Sequence, residues 1–363
     1  MALIDEALQL NPSSAYLQRQ QERFSAELTR KMGEIGLFGM FVPEAYGGQQ
    51  MDYLSYIIAT EEIARVDGSQ AATLAAGNSL GISPIYDFGS EAQRKKYLPD
   101  LCRGRTLMGF GLTEPNAGSD AGATNTTAVK EGDAWIINGR KTLTTNANTP
   151  MTKGSIVQAV TGVRPDGRPD YTCFIVENGT PGFSLNTLKR KLMWRASNTA
   201  ELFLDNCRLS DDAILGNPGD GFKQMLATLD GGRLSIGAMG LGCAQGAYEA
   251  ALRYSKERVQ FGRPISKQQA VAFKLADMEL KIELARNLLY KACWLAENKR
   301  PFSKEAAMSK LYCSEIAREV ADEAVQIHGG YGLFKDYDVE RYYRDQRLLQ
   351  IGEGTSEVQR IVI

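Results

Sequence analysis

Histidine is almost absent: the 363-residue chain has one, His328. That count excludes a histidine-rich zinc site or a two-histidine iron site built within one chain, and no metal is expected. A Ser-His-Asp triad would have to use His328, and there is no G-x-S-x-G elbow. A lone histidine is more often packed or capping than catalytic, so acid–base chemistry falls to carboxylates. No C-x-x-C occurs. Cys102, Cys173, Cys207, Cys243, Cys293 and Cys313 are scattered singly, the pattern of free thiols in a reducing compartment. Charge of one sign is lacking too: the net charge is −1, which gives no basic face for nucleic acid.

Long hydrophobic runs are also missing. The best membrane candidate, "LSIGAMGLGCAQGAYEAAL" at 234–252, carries Gln245 and Glu249 and is built from small residues. It reads as a buried helix, not a span. The N-terminal "MALIDEALQLNPSSAYLQRQ" has acidic residues and no long apolar core, so it is not a secretory signal. No Walker A sequence exists. "GAMGLGCAQG" at 237–246 fails as a dinucleotide fingerprint, because the third glycine position falls on Gln245 and the segment sits within a helical pattern. Close helix packing explains those glycines better. A nucleotide, if bound, is bound by another design.

What is present falls into three textures. Residues 1 to about 108 read as helices: "SAELTRKMGEIGLFG" behind a capping Ser25, "MDYLSYIIATEEIARV" and "SEAQRKKYLPDL", with "FVPEAYGGQQ" as a break. Residues 109 to 216 hold short β-rich runs, "AWIINGRKTLTT", "GSIVQAV", "YTCFIVEN" and "AELFLDNCRL". Asn138–Gly139 and "RPDGRPD" at 164–170 predict turns in a small antiparallel β domain. After it the chain is helical again. Val271, Leu275, Met278, Ile282, Ala285 and Leu289 recur at steps of three and four, which suggests a helical bundle.

Two stretches carry polar groups without an obvious structural duty. "GFGLTEPNAGSDAGAT" at 109–124 mixes Thr113, Ser119, Glu114 and Asp120 with glycines. Exposed amides and short hydroxyls suit a polar ligand edge, and equally a long connecting loop. In "QIGEGTSEVQR" at 350–360, Glu353 stands between Gly352 and Gly354. Bare neighbours would let a buried carboxylate approach a ligand; an exposed loop glutamate would need no explanation.

"FGLTEPNAGSD" together with "VQIHGGYGLFKDYDVERYYRDQRLLQIGEGTSEVQR" resembles the two signature segments of the acyl-CoA dehydrogenase family. "NSLGISPIYDFGSEAQRKKYLP", "INGRKTLTTNA", "LDGGR" and "ERVQFGRPISKQQA" are similar in the same order, so the resemblance spans essentially the whole chain. It implies an α+β multidomain protein, mainly α. An N-terminal helical domain would cover 1–108, a middle antiparallel β domain 109–216 and a C-terminal four-helix bundle 217–363. It also implies FAD as cofactor, bound without a Rossmann motif. In the implied chemistry a carboxylate takes the α-proton of an acyl-CoA while the β-hydrogen leaves as hydride to the flavin.

The family's base aligns with Glu353, in a pocket where desolvation would raise its pKa. On the flavin side the resemblance places Phe110, Leu112, Thr113 and Ser119, then Leu143, Thr144 and Thr145. Arg258 and Gln269 match the pair that reaches the pyrophosphate and adenosine part across a subunit interface, where a planar, permanently charged arginine suits a diphosphate. Gln326, Gly329 and Gly330, then Thr355 and Glu357, match the remaining cofactor contacts. Asp230, Arg233 and Gly352 match substrate-side positions, and Ser119 also matches one on the CoA arm.

Departures from the family bear on the acyl group. Leu143 stands where many members have tryptophan, Gly352 where many short- and medium-chain members have tyrosine, and Ala76 where the medium-chain type has glutamate. Each removes bulk, which favours a branched or alicyclic acyl group such as a cyclohexane- or cyclohexene-carboxyl thioester, unless Met193 and Trp194 fill the space. The resemblance further implies a homotetramer built as a dimer of dimers, with an electron-transferring flavoprotein as acceptor. The expected location is the cytoplasm of a bacterium, or the mitochondrial matrix of a eukaryote. Family members usually have more first helix and a longer last helix than this sequence. The same fold also accommodates an acyl-CoA oxidase or a non-catalytic assembly protein.

Overall fold

The computed structural model describes residues 23–363, so the reading of the N-terminal segment, residues 1–20, lies outside the described residues. The first helices are set by their caps. Ser25 Oγ accepts from the Leu28 amide at 3.1 Å and starts α1 (Ala26–Glu34). Asp52 caps α2 (Tyr53–Val66), and Asp67 caps α3 (Gly68–Ala76). A π-helical stretch (Gly77–Ile82) leads into α4 (Ser83–Phe88). Ser90 and Gln93 form a reciprocal capping box for α5 (Glu91–Cys102). In α1, α2, α3 and α5 a short side-chain oxygen satisfies an amide that the first turn would leave unpaired, whereas α4 continues from the π-helical stretch without a side-chain cap.

The middle region is one sheet: β1 (Leu107–Gly111), β2 (Thr127–Glu131), β3 (Ala134–Thr145), β4 (Thr152–Val163), β5 (Pro169–Glu177), β6 (Phe183–Thr187), β7 (Thr199–Ser210) and β8 (Ile214–Leu215). The order is β6-β7-β3-β2-β4-β5-β8, with β1 added on β4. Most pairings are antiparallel, as expected, but the sheet is mixed. β1 runs parallel to β4, and Thr127 of β2 pairs in parallel with Val160. A parallel pair needs a long connection, and the loop and hairpin between β1 and β4 supply it.

Asn138–Gly139 does not turn the chain. Both residues lie inside β3, where the register against β7 slips between Ile137 and Gly139. The glycine serves a bulge, and a Cβ there would run into Thr126. The turn read at 164–170 is present, with the Arg164 amide donating to the Arg168 carbonyl at 2.8 Å.

The last region begins with α6 (Gly221–Glu257, 37 residues). A short two-stranded ribbon follows, β9 (Val259–Gln260) with β10 (Arg263–Pro264). Then come α7 (Gln269–Glu297), α8 (Ser303–His328), α9 (Val339–Asp345) and α10 (Ser356–Val362). Glycines of α6 allow close crossing. A Cβ on Gly240 would press on the backbone of α8 at Cys313, and one on Gly242 or Gly246 would strike the backbone of α2. Leu275, Met278, Ile282, Ala285 and Leu289 of α7 are buried as their spacing predicts. A single apolar cluster joins α2 and α3 to α6, α7 and α8, while the sheet has its own. His328 is a packing residue: its ring stacks on Tyr254 and Nδ1 pairs with the Ala324 carbonyl at 2.8 Å. Among the described residues no helix is long and apolar enough to cross a membrane.

Candidate active site

Glu353 sits in the turn that precedes α10. Its φ is +52° and that of Gly354 is +87°, so two successive residues are left-handed. A non-glycine residue in that region is strained unless its surroundings hold it. Gln359 Nε2 donates to the carbonyls of Glu353 (3.2 Å) and Gly354 (2.9 Å), and the buried Lys310 Nζ donates to Gly354 O at 2.6 Å. Thr355 caps α10 through the Val358 amide at 3.3 Å. Three side chains thus fix the turn from its two ends.

The turn delivers the carboxylate to α6. A Cβ on Gly232 would overlap Glu353 Oε2, so the oxygen lies against bare helix backbone. The residue as a whole is half-buried, but Oε2 is sealed from solvent and has no hydrogen-bond partner. Burial pushes the carboxyl pKa up to about 7, against the opposing pull of Lys310 and Arg233. The Lys310 ammonium is depressed to about 8 by burial, with Glu353 resisting that shift and Arg233 adding to it. A base titrating near neutrality can both accept and release a proton.

Asp230 and Arg233 flank the glycine pair on the same turn of α6 and are ion-paired with each other. Asp230 Oδ2 also accepts from Ser303 Oγ at 2.6 Å, and Tyr53 OH donates to Gly231 O at 3.1 Å. The structure therefore brings together Glu353, Gly352, Asp230 and Arg233. It adds three residues the sequence reading passed over: Gly232, Lys310 and Tyr53. A lysine inside the small, apolar "AAMSKLYCSE" was the legible signal for Lys310.

The other expected contacts form two groups. At one, Phe110 ends buried on β1, with Leu112 and Thr113 half-buried beyond it. The Thr142 amide donates to Thr113 O at 2.8 Å, tying that loop to the end of β3. Leu143 there is 63% exposed with φ +57°, at a second register slip against β7. Thr144 is buried with an unpartnered Oγ1; Thr145 is half-buried and Ser119 exposed. Glu114 has a framework role. Its carboxylate accepts from the Asn125 and Thr126 amides at 2.7 and 3.0 Å and pairs with the buried Lys141 at 2.7 Å.

In the second group, a groove of about 420 Å³ is lined by Arg258, Tyr254, His328, Gly329, Gly330 and Tyr331, among others. The Arg258 guanidinium lies 5.7 Å from the Tyr331 ring centroid, and Gln269 and Gln326 are exposed on α7 and α8. A Cβ on Gly329 or Gly330 would meet nothing within 4 Å. Thr355 and Glu357 stand at the start of α10, Glu357 exposed. An orphaned hydroxyl, an exposed apolar side chain and an open cradle beside an arginine fit a flavin dinucleotide, whose ring is apolar and whose diphosphate is anionic.

Comparison with known proteins agrees. Three family models match in succession: acyl-CoA dehydrogenase N-terminal domain (6–105), middle domain (109–207) and C-terminal domain (219–363). The Bacillus subtilis (strain 168) protein named probable acyl-CoA dehydrogenase YngJ is 50% identical over 344 residues, covering 95% of this chain and 90% of the relative. The butyryl-CoA dehydrogenase structure from Megasphaera elsdenii superposes with a TM-score of 0.94 at 41% identity, covering 99% of this chain and 96% of that one. An acyl-CoA dehydrogenase from Bacillus anthracis complexed with FAD superposes with a TM-score of 0.92 at 32% identity, covering 99% of this chain and 64% of that one. With all three domains matched in order on the observed architecture, the chain belongs to the acyl-CoA dehydrogenase family.

Proposed function

We propose that this protein is an FAD-dependent acyl-CoA dehydrogenase in which Glu353 removes the α-proton of an acyl-CoA thioester. The observation that carries the assignment is the sealed, unpartnered Oε2 of Glu353 lying against Gly232. A carboxylate desolvated to a pKa of about 7 is a stronger base than one in water, and it is still ionised in part at neutral pH. Lys310 and Arg233 hold that charge inside the protein. Asp230 and Arg233, ion-paired on either side of the Gly232 that Glu353 Oε2 lies against, orient the thioester end of the substrate. When bound, FAD supplies the acceptor for the β-hydrogen, taken as hydride.

Phe110, Leu112, Thr113, Ser119, Leu143, Thr144 and Thr145 hold the flavin side, with Thr355 and Glu357 nearby. Arg258, Gln269, Gln326, Gly329 and Gly330 take the pyrophosphate and adenosine part from a neighbouring subunit. That neighbour makes the protein a homotetramer, a dimer of dimers. The exposed Phe261, Phe273, Leu280, Leu284, Leu333 and Phe334 support burial of this bundle surface against another copy. An electron-transferring flavoprotein takes the electrons onward. The acyl group is short, and branched or alicyclic. Ala76 and Gly352 leave room where larger side chains would crowd it, and Trp194 is anchored on Gly68, with its amide bonded to Asp345 at 2.8 Å.

Anaerobic mixing of the yellow protein with a panel of acyl-CoAs tests these readings. A ring or branched acyl-CoA should bleach the flavin faster than butyryl-CoA; the reverse order overturns the substrate reading. Glu353→Gln should keep its colour and lose bleaching, and normal reduction in this variant would place the base elsewhere. Hydrogen peroxide release in air would identify an oxidase, and a colourless purified protein a non-catalytic assembly component.

A further inference from the structure

Lys310 is the most deeply buried cation near the base, and its hold on the carboxylate's charge has a backbone counterpart in the turn itself. It lies within α8 at 0% exposure, where an ammonium is costly. Its hydrogen bond goes to a neutral acceptor, the Gly354 carbonyl, at 2.6 Å. One neutral carbonyl does not offset the loss of hydration of a full charge. Two negative groups act on it, Glu353 first and the exposed Glu357 second, and Glu353 Oε2 has no hydrogen bond of its own.

We propose that Lys310 is a positioning residue for the base. Its ammonium pins the left-handed Glu353–Gly354 turn through the Gly354 carbonyl and stands as counter-charge to the ionised Glu353 carboxylate. The inference rests on Glu353 being the base.

The other charged and titratable groups around the carboxylate do not take this place. Arg233 of α6 also favours the charged carboxylate, but its guanidinium is ion-paired through one nitrogen with Asp230, which in turn accepts from Ser303. Tyr53 and Tyr56 of α2 face the carboxylate as neutral phenols whose pKa values burial pushes up. Glu357 of α10 is exposed. Gln359 also supports the turn, but as a neutral donor. Lys310 alone both touches the turn's backbone and carries a charge not already paired to another carboxylate. Burial pushes the Lys310 pKa down to about 8 and the Glu353 pKa up to about 7, and each group's charge resists the other's shift. Without the ammonium, Arg233 alone opposes the burial of the carboxylate, and its ionisation moves to higher pH.

The test is rapid anaerobic mixing of the FAD-loaded enzyme with butyryl-CoA across pH 5.5–9.5, using Lys310→Met and Lys310→Arg. Lys310→Met should bind FAD and butyryl-CoA as the wild type does. Its flavin reduction should slow about fivefold at pH 7 and about tenfold well below it, with the midpoint of the pH profile about one unit higher, because one unit of pKa is tenfold in the ionised fraction only where the base is mostly protonated. Lys310→Arg restores the charge and should return the midpoint towards the wild-type value. Equal slowing at every pH, with an unmoved midpoint and no rescue by arginine, overturns the proposal and leaves Lys310 a packing residue. If Lys310→Met does not fold, Lys310→Gln, which keeps a donor for Gly354 but no charge, is read in the same way. Normal reduction in Glu353→Gln would instead remove the base on which the proposal rests, a separate result from an unmoved Lys310 profile.

Discussion

Gly232 and Glu353 meet on a surface that tolerates no side chain: a Cβ at position 232 would overlap the Glu353 carboxylate. In Gly232→Ala, helix propensity alone would stabilise α6 by about 1 kcal/mol. The methyl group must, however, displace Oε2. Displacement of a reacting group by about 1 Å costs on the order of a hundredfold. Flavin reduction by acyl-CoA should therefore fall about that much while FAD content and melting temperature hold. A rate within threefold of wild type would show that the carboxylate does not work from this position.

The pH response of the reductive half-reaction follows from Glu353. Burial raises its pKa from 4.5 to about 7, so the active, ionised form accumulates as pH rises and reduction should climb with a midpoint near 7. Stability moves the other way. A raised native pKa favours the protonated state, so the contribution is full below the unfolded value and is lost as pH rises through 7. Its size is on the order of 3 kcal/mol. Thermal melts of wild type and Glu353→Gln should diverge in favour of the variant between pH 5 and 8. Parallel curves would contradict the buried placement.

Lys141 and Glu114 form a pair with 0% and 3% side-chain exposure. Burial raises the Glu114 pKa, but the Lys141 charge and the hydrogen bonds more than offset it, and the net shift is downward. Lys141→Met would strand the Glu114 charge in the sheet at a cost of roughly 3–5 kcal/mol. A fall in melting temperature with release of FAD is expected. The double variant Lys141→Met/Glu114→Gln should recover part of the loss, because no charge then remains unpaired. No recovery would mean the damage is steric.

Gly352 offers a route to alter substrate choice. Its φ is not in the left-handed region, and a Cβ there would come 3.2 Å from Leu348 Cδ2, a flexible side-chain end. Gly352→Tyr should therefore fold and reduce free volume beside the base. Turnover of cyclohexane-carboxyl-CoA should drop about tenfold or more relative to butyryl-CoA, in line with 1–3 kcal/mol for steric discrimination in an apolar pocket. An unchanged ratio would place the acyl group elsewhere.

Much of the fold was legible because it is written in local patterns. Ser25 announced α1, the steps of three and four announced the buried face of α7, and the small residues of "GAMGLGCAQG" announced close helix crossings. Asn138–Gly139 misled, because the same dipeptide suits a hairpin and a bulge, and only the partner strand decides between them. The parallel partner of β1 was invisible for the same reason. Around the candidate site, sequence order could show Asp230 near Arg233 and Glu353 near Thr355. It could not show that α6, α8 and α10 converge.

The sequence by itself determined the composition limits, the helix caps, the helical and strand periods and a family signature spanning the chain. These depend on residues within a few positions of one another or on ordered similarity. Only the tertiary structure decided that residue 353 is left-handed, that its carboxyl tip is dry, and that Gly232 and Lys310 stand beside it. Desolvation and Coulomb attraction depend on what surrounds a charge in space, and those surroundings come from segments tens of residues to more than a hundred residues away in the chain.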